Sequence, residues 1–103
     1  MKKIINGKKY DTETATEIGY GGSAGGISTT DFRYYDETLY RKKNGEFFLA
    51  GEGHAMTKYA THNGNTSGWG EAIIPLTDEE AKAWVEQECD AETYEEIFGD
   101  VEE

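Results

Sequence analysis

The chain holds a single cysteine, Cys89, and a single proline, Pro75, among 103 residues. One cysteine excludes any disulfide within the chain, the staple on which small secreted domains often depend. Long apolar runs are missing too. Ile4 and Ile5 stand between lysines and fall far short of a signal-peptide core, and no stretch approaches the length needed to span a bilayer. These absences predict a cytoplasmic chain with no membrane contact. Positive charge is scarce at one end only: residues 77–103 hold twelve acidic side chains and one basic one, Lys82. Residues 1–60 hold nine basic against eight acidic side chains, so the net charge of −11 is concentrated in the last 27 residues. That segment disfavours direct binding to DNA, because phosphates need cations to displace their counterions. It favours a basic protein or nucleoprotein surface, with long-range attraction speeding encounter.

Hydrophobic residues are lean at 36%, but seven Tyr, four Phe and two Trp each bury a large area. A disordered chain of this charge would be poor in aromatics. The composition therefore predicts a folded chain, and the length predicts one domain over residues 1–103 with one modest core.

Turn signals divide the chain. Asn6-Gly7 predicts a tight turn between strands at Lys2–Ile5 and Lys8–Tyr10. Asp11–Thr16 reads as a turn leading into Glu17–Tyr20. Residues 19–26, GYGGSAGG, are too rich in glycine for a regular element and predict a mobile loop. Asn44-Gly45 is the strongest hairpin signal, flanked by Phe32–Lys43 and Glu46–Ala50. As a two-residue turn it pairs Lys43 with Glu46 and Tyr40 with Leu49. Phe32, Tyr34, Tyr40, Phe47 and Leu49 then share the core face. His54–Gly70 reads as irregular, with one helical turn at Ala55–Ala60 and a loop at HNGNTSGWG. Glu71–Leu76 is a short strand whose Pro75 implies an edge or an end.

Thr77-Asp78-Glu79-Glu80 is a capping box opening a helix that runs to about Glu88, with Ala81, Trp84 and Val85 on its apolar face. Asp90 caps a second helix, in which Ala91, Tyr94, Ile97, Phe98 and Val101 recur at helical spacing and Gly99 supplies a stop. The order of strands, then helices, predicts an α+β fold: a small antiparallel sheet with a central β-hairpin over 1–76, then two short acidic helices over 77–103.

Both helices turn acids outward: Glu79, Glu80 and Glu86 on the first, Glu92, Glu95, Glu96 and Asp100 on the second. A solvated face kept for solubility is one reading. Segregated acids with Lys82 alone among them for i,i+4 pairing repel one another, however, and a cationic partner would relieve that repulsion. Carboxylates on successive turns lie about 5–6 Å apart along the axis, close to the spacing of phosphates along a strand, so nucleic-acid mimicry is open. Seven residues form this candidate partner-binding face.

Other chemistry is thinly represented. His54 and His62, with Lys58 between them, could serve as the base and acid of an RNA-cleaving site; structural or surface histidines are the plainer reading. No metal-ligand spacing is present, and no phosphate-binding or dinucleotide fingerprint, so no cofactor is expected. Cys89 lies between Glu88 and Asp90, which predicts a raised pKa and a sluggish thiol. Lys2, Lys3, Lys8 and Lys9 bracket one predicted turn, and Arg41, Lys42 and Lys43 precede the other. If the two tips meet, they form a small basic patch.

The segments MKKIINGKKYDTETAT, DETLYRKKNGEFFLAGEG followed by HAMTKYA, and IIPLTDEEAKAWVEQ together resemble a family of small acidic proteins carried by phages and other mobile elements of Gram-positive bacteria. Some of its members are grouped with anti-CRISPR inhibitors of Cas9-type effectors. The resemblance implies a protein of the host bacterial cytoplasm that blocks a defence nuclease or its guide-RNA complex by binding, without catalysis. A guide-RNA-cleaving inhibitor using His54 and His62, and an accessory mobile-element protein with no defence role, are the competing readings.

Overall fold

The computed structural model describes residues 1–23 and 27–103. Strand β1 (Lys2–Ile5) pairs antiparallel with β2 (Lys8–Asp11). Between them Asn6 and Gly7 take φ of +51° and +78°, the two left-handed residues that the predicted tight turn requires. A four-stranded antiparallel sheet follows, in the order β3 (Thr16–Gly22), β4 (Tyr35–Arg41), β5 (Phe47–Gly53) and β8 (Gly70–Leu76). Pro75 sits on β8, an edge strand as its missing N–H demands. Helices α1 (Asp78–Glu88) and α2 (Ala91–Phe98) close the chain. The fold is α+β, strands before helices.

The central hairpin departs from expectation by one residue. Observed partners are Arg41 with Phe47, Tyr40 with Phe48, and Leu39 with Leu49. The loop has three residues, Lys43–Gly45: the Lys42 N–H donates to the Glu46 carbonyl at 2.8 Å, and the Gly45 N–H to the Lys42 carbonyl at 2.9 Å. Gly45 takes φ +93°, the left-handed residue that closes such a loop. Asn44 uses its side-chain oxygen instead, accepting the Glu46 N–H at 3.0 Å. A one-residue slip flips faces, so Leu39 replaces Tyr40 beside Leu49.

Each face of the sheet carries a cluster of buried side chains. Leu39, Phe47 and Leu49 meet Ala81 and Val85 of α1, with Trp84, Tyr94, Ile97 and Phe98 packed around them. On the other face Phe48 and Ile73 are covered by Tyr10 of the β1–β2 hairpin, and Tyr40 stacks on Phe48 at 5.3 Å. Phe32 and Tyr34 precede β4, and Phe32 is exposed, so neither joins the predicted core face.

Two predicted loops hold strands. β3 runs through Gly19, Gly21 and Gly22, because α1 and its C-cap lie against it: a Cβ on Gly19 would sit 2.7 Å from Cys89 Sγ, and one on Gly21 2.9 Å from the Trp84 ring. Gly19 and Gly21 make room for a helix, while Gly22 faces the Tyr35 backbone. The remainder of the predicted mobile loop, residues 24–26, lies outside the described residues. Within HNGNTSGWG, β6 (Thr61–Asn63) and β7 (Thr66–Gly68) form a small hairpin, turned by Gly64 at φ +63°. Residues 54–60 form successive three-residue-span turns, Thr57 N–H to the His54 carbonyl and Ala60 N–H to the Thr57 carbonyl, where one helical turn was expected.

Candidate interaction site on the acidic helices

Both helix starts follow the sequence. The Thr77 hydroxyl accepts the Glu80 N–H at 3.1 Å while Glu80 Oε1 accepts the Thr77 N–H at 2.9 Å, the reciprocal capping box. Asp90 Oδ1 accepts the Thr93 N–H at 2.9 Å, and Gly99 ends α2 at φ +92°. α2 turns Tyr94, Ile97 and Phe98 to the core. Ala91 and Val101 stay exposed, contrary to the helical-spacing reading. The eight-residue helix has one half-buried stripe, and Val101 lies beyond its end together with Asp100, which was expected on this helix.

All seven predicted site residues are exposed: Glu79, Glu80, Glu86, Glu92, Glu95, Glu96 and Asp100. Glu86 and Glu95 line one groove of about 410 Å³ between the helices, with Cys89, Asp90, Ala91, Tyr94 and Val101. Glu80 is the exception in role, since its carboxylate is committed to the cap. Hydrogen bonds from the Thr77 backbone hold it below the usual carboxylate range. Lys82, the lone cation of the segment, lies over the Phe98 ring at 5.7 Å. Burial first, and then Asp90 and Glu88, push the Cys89 thiol up, as its neighbours predicted.

Four ion pairs hold the described residues together: Lys8–Glu46, Lys42–Glu46, Arg33–Asp31 and Lys58–Glu37. None of them uses a carboxylate from residues 77–103. The two hairpin tips do meet, in a groove of about 440 Å³ lined by Lys8, Lys9, Lys42 and Lys43. There Glu46 binds Lys8 at 2.6 Å and Lys42 at 2.9 Å. Four of the body's nine cations, Lys8, Arg33, Lys42 and Lys58, therefore pair within the body, and among the described residues the acids of 77–103 pair with none.

Sequence reasoning missed Glu37. Its carboxylate is 3% exposed and receives the Tyr59 hydroxyl at 2.6 Å, the Trp84 indole N–H at 2.7 Å and the Lys58 ammonium at 2.7 Å. Burial works to raise its pKa, but the hydrogen bonds from Lys58, Tyr59 and Trp84 together outweigh it and hold the carboxyl below its ordinary range. Strand alternation in the correct register, which sets Glu37 on the Leu39 face, was the one signal that could have found it.

The histidines are not gathered into one hydrogen-bonded set. His54 Nδ1 accepts the Ala55 N–H at 2.8 Å and its ring packs on Phe32 and Trp69. His62 is exposed on β6 opposite Ser67, and Lys58 is held by Glu37. Among the described residues no three His, Cys, Asp or Glu side chains converge as metal ligands, and no helix is long and apolar enough to cross a membrane. Comparison with protein-family models, curated proteins and solved structures finds no match.

Proposed function

We propose that this chain is a non-catalytic binding protein whose acidic helices dock on a basic protein or nucleoprotein, as an inhibitor of the anti-CRISPR kind acting on a Cas9-type effector in a bacterial cytoplasm. The observation that carries this reading is the uncompensated charge of residues 77–103: among the described residues no ion pair engages any of its acids. Glu79 and Glu86 on α1, and Glu92 and Glu96 on α2, recur at seven- and four-residue spacing, so each pair shares a helix face. A Cas9-type effector carries a strongly basic channel for its heteroduplex, and fixed carboxylates fit such a channel as phosphates do. Glu80 contributes by fixing α1, while Glu79, Glu86, Glu92, Glu95, Glu96 and Asp100 offer free carboxylates.

The test is binding to an immobilised Cas9-type effector, with and without guide RNA, over a salt series. Association should weaken steeply with salt, and the triple change Glu92→Gln, Glu95→Gln, Glu96→Gln should weaken it further and relieve inhibition. Unchanged affinity and inhibition in the triple variant would refute the helix mechanism.

A further inference from the structure

The end of the sheet away from the charged hairpin tip carries a second surface. β4 is entered, β5 left and β8 entered at this end, so Tyr34, His54 and Trp69, each one residue outside its strand, come together. Tyr34 and Trp69 are stacked at 6.1 Å with 15° between their planes, and the His54 ring meets Trp69 edge-on at 5.8 Å. Phe32 packs on His54 at 5.0 Å. Backbone bonds from His54 N–H to the Tyr34 carbonyl (2.8 Å) and from Met56 N–H to the Phe32 carbonyl (2.7 Å) extend the β4–β5 ladder and fix this cluster. It is nonetheless open: Phe32 is 58% exposed, Met56 70% and Trp69 42%. Exposed large apolar side chains gathered this way mark an interaction site.

One step inward along the same strands lies a row of carboxylates. Asp36 is paired in register with Glu52, and Glu52 with Glu71. Two-residue periodicity puts this row on the same face as Tyr34, His54 and Trp69, and the Tyr34 hydroxyl donates to Asp36 Oδ2 at 3.3 Å. Like charges directly opposed across strands are destabilising, and among the described residues none of the three has an ion-pair partner. The cations near this row are engaged elsewhere: Arg33 clasps Asp31 at 3.0 and 2.9 Å, Lys58 binds Glu37, and the Met1 ammonium, beside the same depression as Asp36, Glu52 and Glu71, donates to the Thr12 hydroxyl at 2.8 Å.

We infer that this face binds arginine side chains of an extended basic segment on a protein partner, guanidinium groups stacking on Tyr34 and Trp69 while Asp36, Glu52 and Glu71 accept their N–H groups. Charge complementarity selects this occupant. Aromatic faces alone would suit nucleic-acid bases as well, but the carboxylate row repels phosphate. A planar guanidinium meets both halves of the site, stacking on a ring and bonding a carboxylate bidentately, which an ammonium does less well. The surface is separate from the helix groove and does not depend on the helix reading. If both act, the helices steer encounter and the aromatic cluster sets the residence time.

The probe is a labelled peptide with three arginines at alternate positions in a Gly/Ser background, beside its lysine counterpart and a short oligouridylate. Wild-type protein should bind the arginine peptide tightest and oligouridylate not measurably. The Trp69 indole N–H resonance should move on titration while that of Trp84, bonded to Glu37, stays fixed. Trp69→Ala, and separately Glu52→Gln, should each weaken the arginine peptide by about ten-fold, the scale of a lost cation–π or charge-assisted contact. The helix triple Glu92→Gln, Glu95→Gln, Glu96→Gln should leave peptide affinity nearly unchanged. Equal affinity for arginine and lysine peptides, oligouridylate moving Trp69, or shifts confined to the helices in the wild-type protein would each overturn the assignment. The last of these would still leave the helix reading standing.

Discussion

Glu37 on β4 and Trp84 on α1 are 47 residues apart, yet the indole N–H of one donates to the carboxylate of the other at 2.7 Å. The same carboxylate takes the Tyr59 hydroxyl and the Lys58 ammonium, so one buried acid ties the sheet, the turns at 54–60 and the first helix together. Removing it leaves the buried Tyr59 hydroxyl and the half-buried Trp84 indole N–H without an acceptor, while the half-exposed Lys58 ammonium can turn to water. Glu37→Ala should therefore cost about 3 kcal/mol in urea unfolding, at unchanged slope. Trp84→Phe, which deletes one donor and leaves Glu37 two others, should cost about 1 kcal/mol for the lost hydrogen bond.

The same group sets a pH dependence. Its folded pKa is depressed, so its contribution is complete above the unfolded carboxyl value of about 4.3 and is lost as pH falls through the folded value. Stability measured from pH 7 down to 3 should fall further for the wild-type chain than for Glu37→Gln, whose amide does not titrate. Parallel curves would contradict the network.

Glu46 is a second marker. Hydrogen bonds from Lys8, then Lys42 and Asn44, bring its pKa down to about 2. Its carboxyl carbon should titrate near that value by NMR, and Lys8→Ala or Lys42→Ala should each move the midpoint back up. The clasp between hairpin tips then survives acidification until pH falls through about 2.

Gly51 on β5 has no room for a side chain: a Cβ there would lie 2.6 Å from the Asp36 carbonyl oxygen and 2.6 Å from the Tyr59 ring. Gly51→Ala should destabilise by about 1–3 kcal/mol through overpacking. Gly68, in the exposed β6–β7 hairpin, meets nothing within 4 Å, and Gly68→Ala should stay within about 0.5 kcal/mol of wild type. Thermal unfolding of the pair separates sterics from any general intolerance of alanine in strands.

Thr77→Ala removes the acceptor for the Glu80 N–H and should cost about 1 kcal/mol. The backbone N–H of residue 77 remains, so the Glu80 carboxylate keeps its own half of the cap. Loss of helical circular dichroism in step with unfolding would tie that cost to α1.

The helix boundaries, both caps and the Asn6-Gly7 turn were legible because they depend on residues a few positions apart. Thr77 finds Glu80, and Asp90 finds Thr93, whatever the rest of the chain does. The hairpin register was not legible: Asn44-Gly45 serves a two-residue or a three-residue loop, and the choice between them is made by which side chains then meet Leu49. The glycines of β3 were misread for a similar reason. Their meaning lies in Trp84 and Cys89, some 65 residues later.

Of the acidic site, the sequence by itself determined the composition, the helices and the outward spacing of Glu79, Glu86, Glu92, Glu95 and Glu96, since helical periodicity needs no partner to be read; Asp100, read on the second helix, lies beyond its end. Only the tertiary structure decided that Lys8, Arg33, Lys42 and Lys58 pair with acids of the body, that Glu37 is buried among three donors, and that Tyr34 and Trp69 stand beside Asp36, Glu52 and Glu71. Each of these depends on strands distant in sequence being held about 4.8 Å apart in one register, and register is a property of the packed sheet.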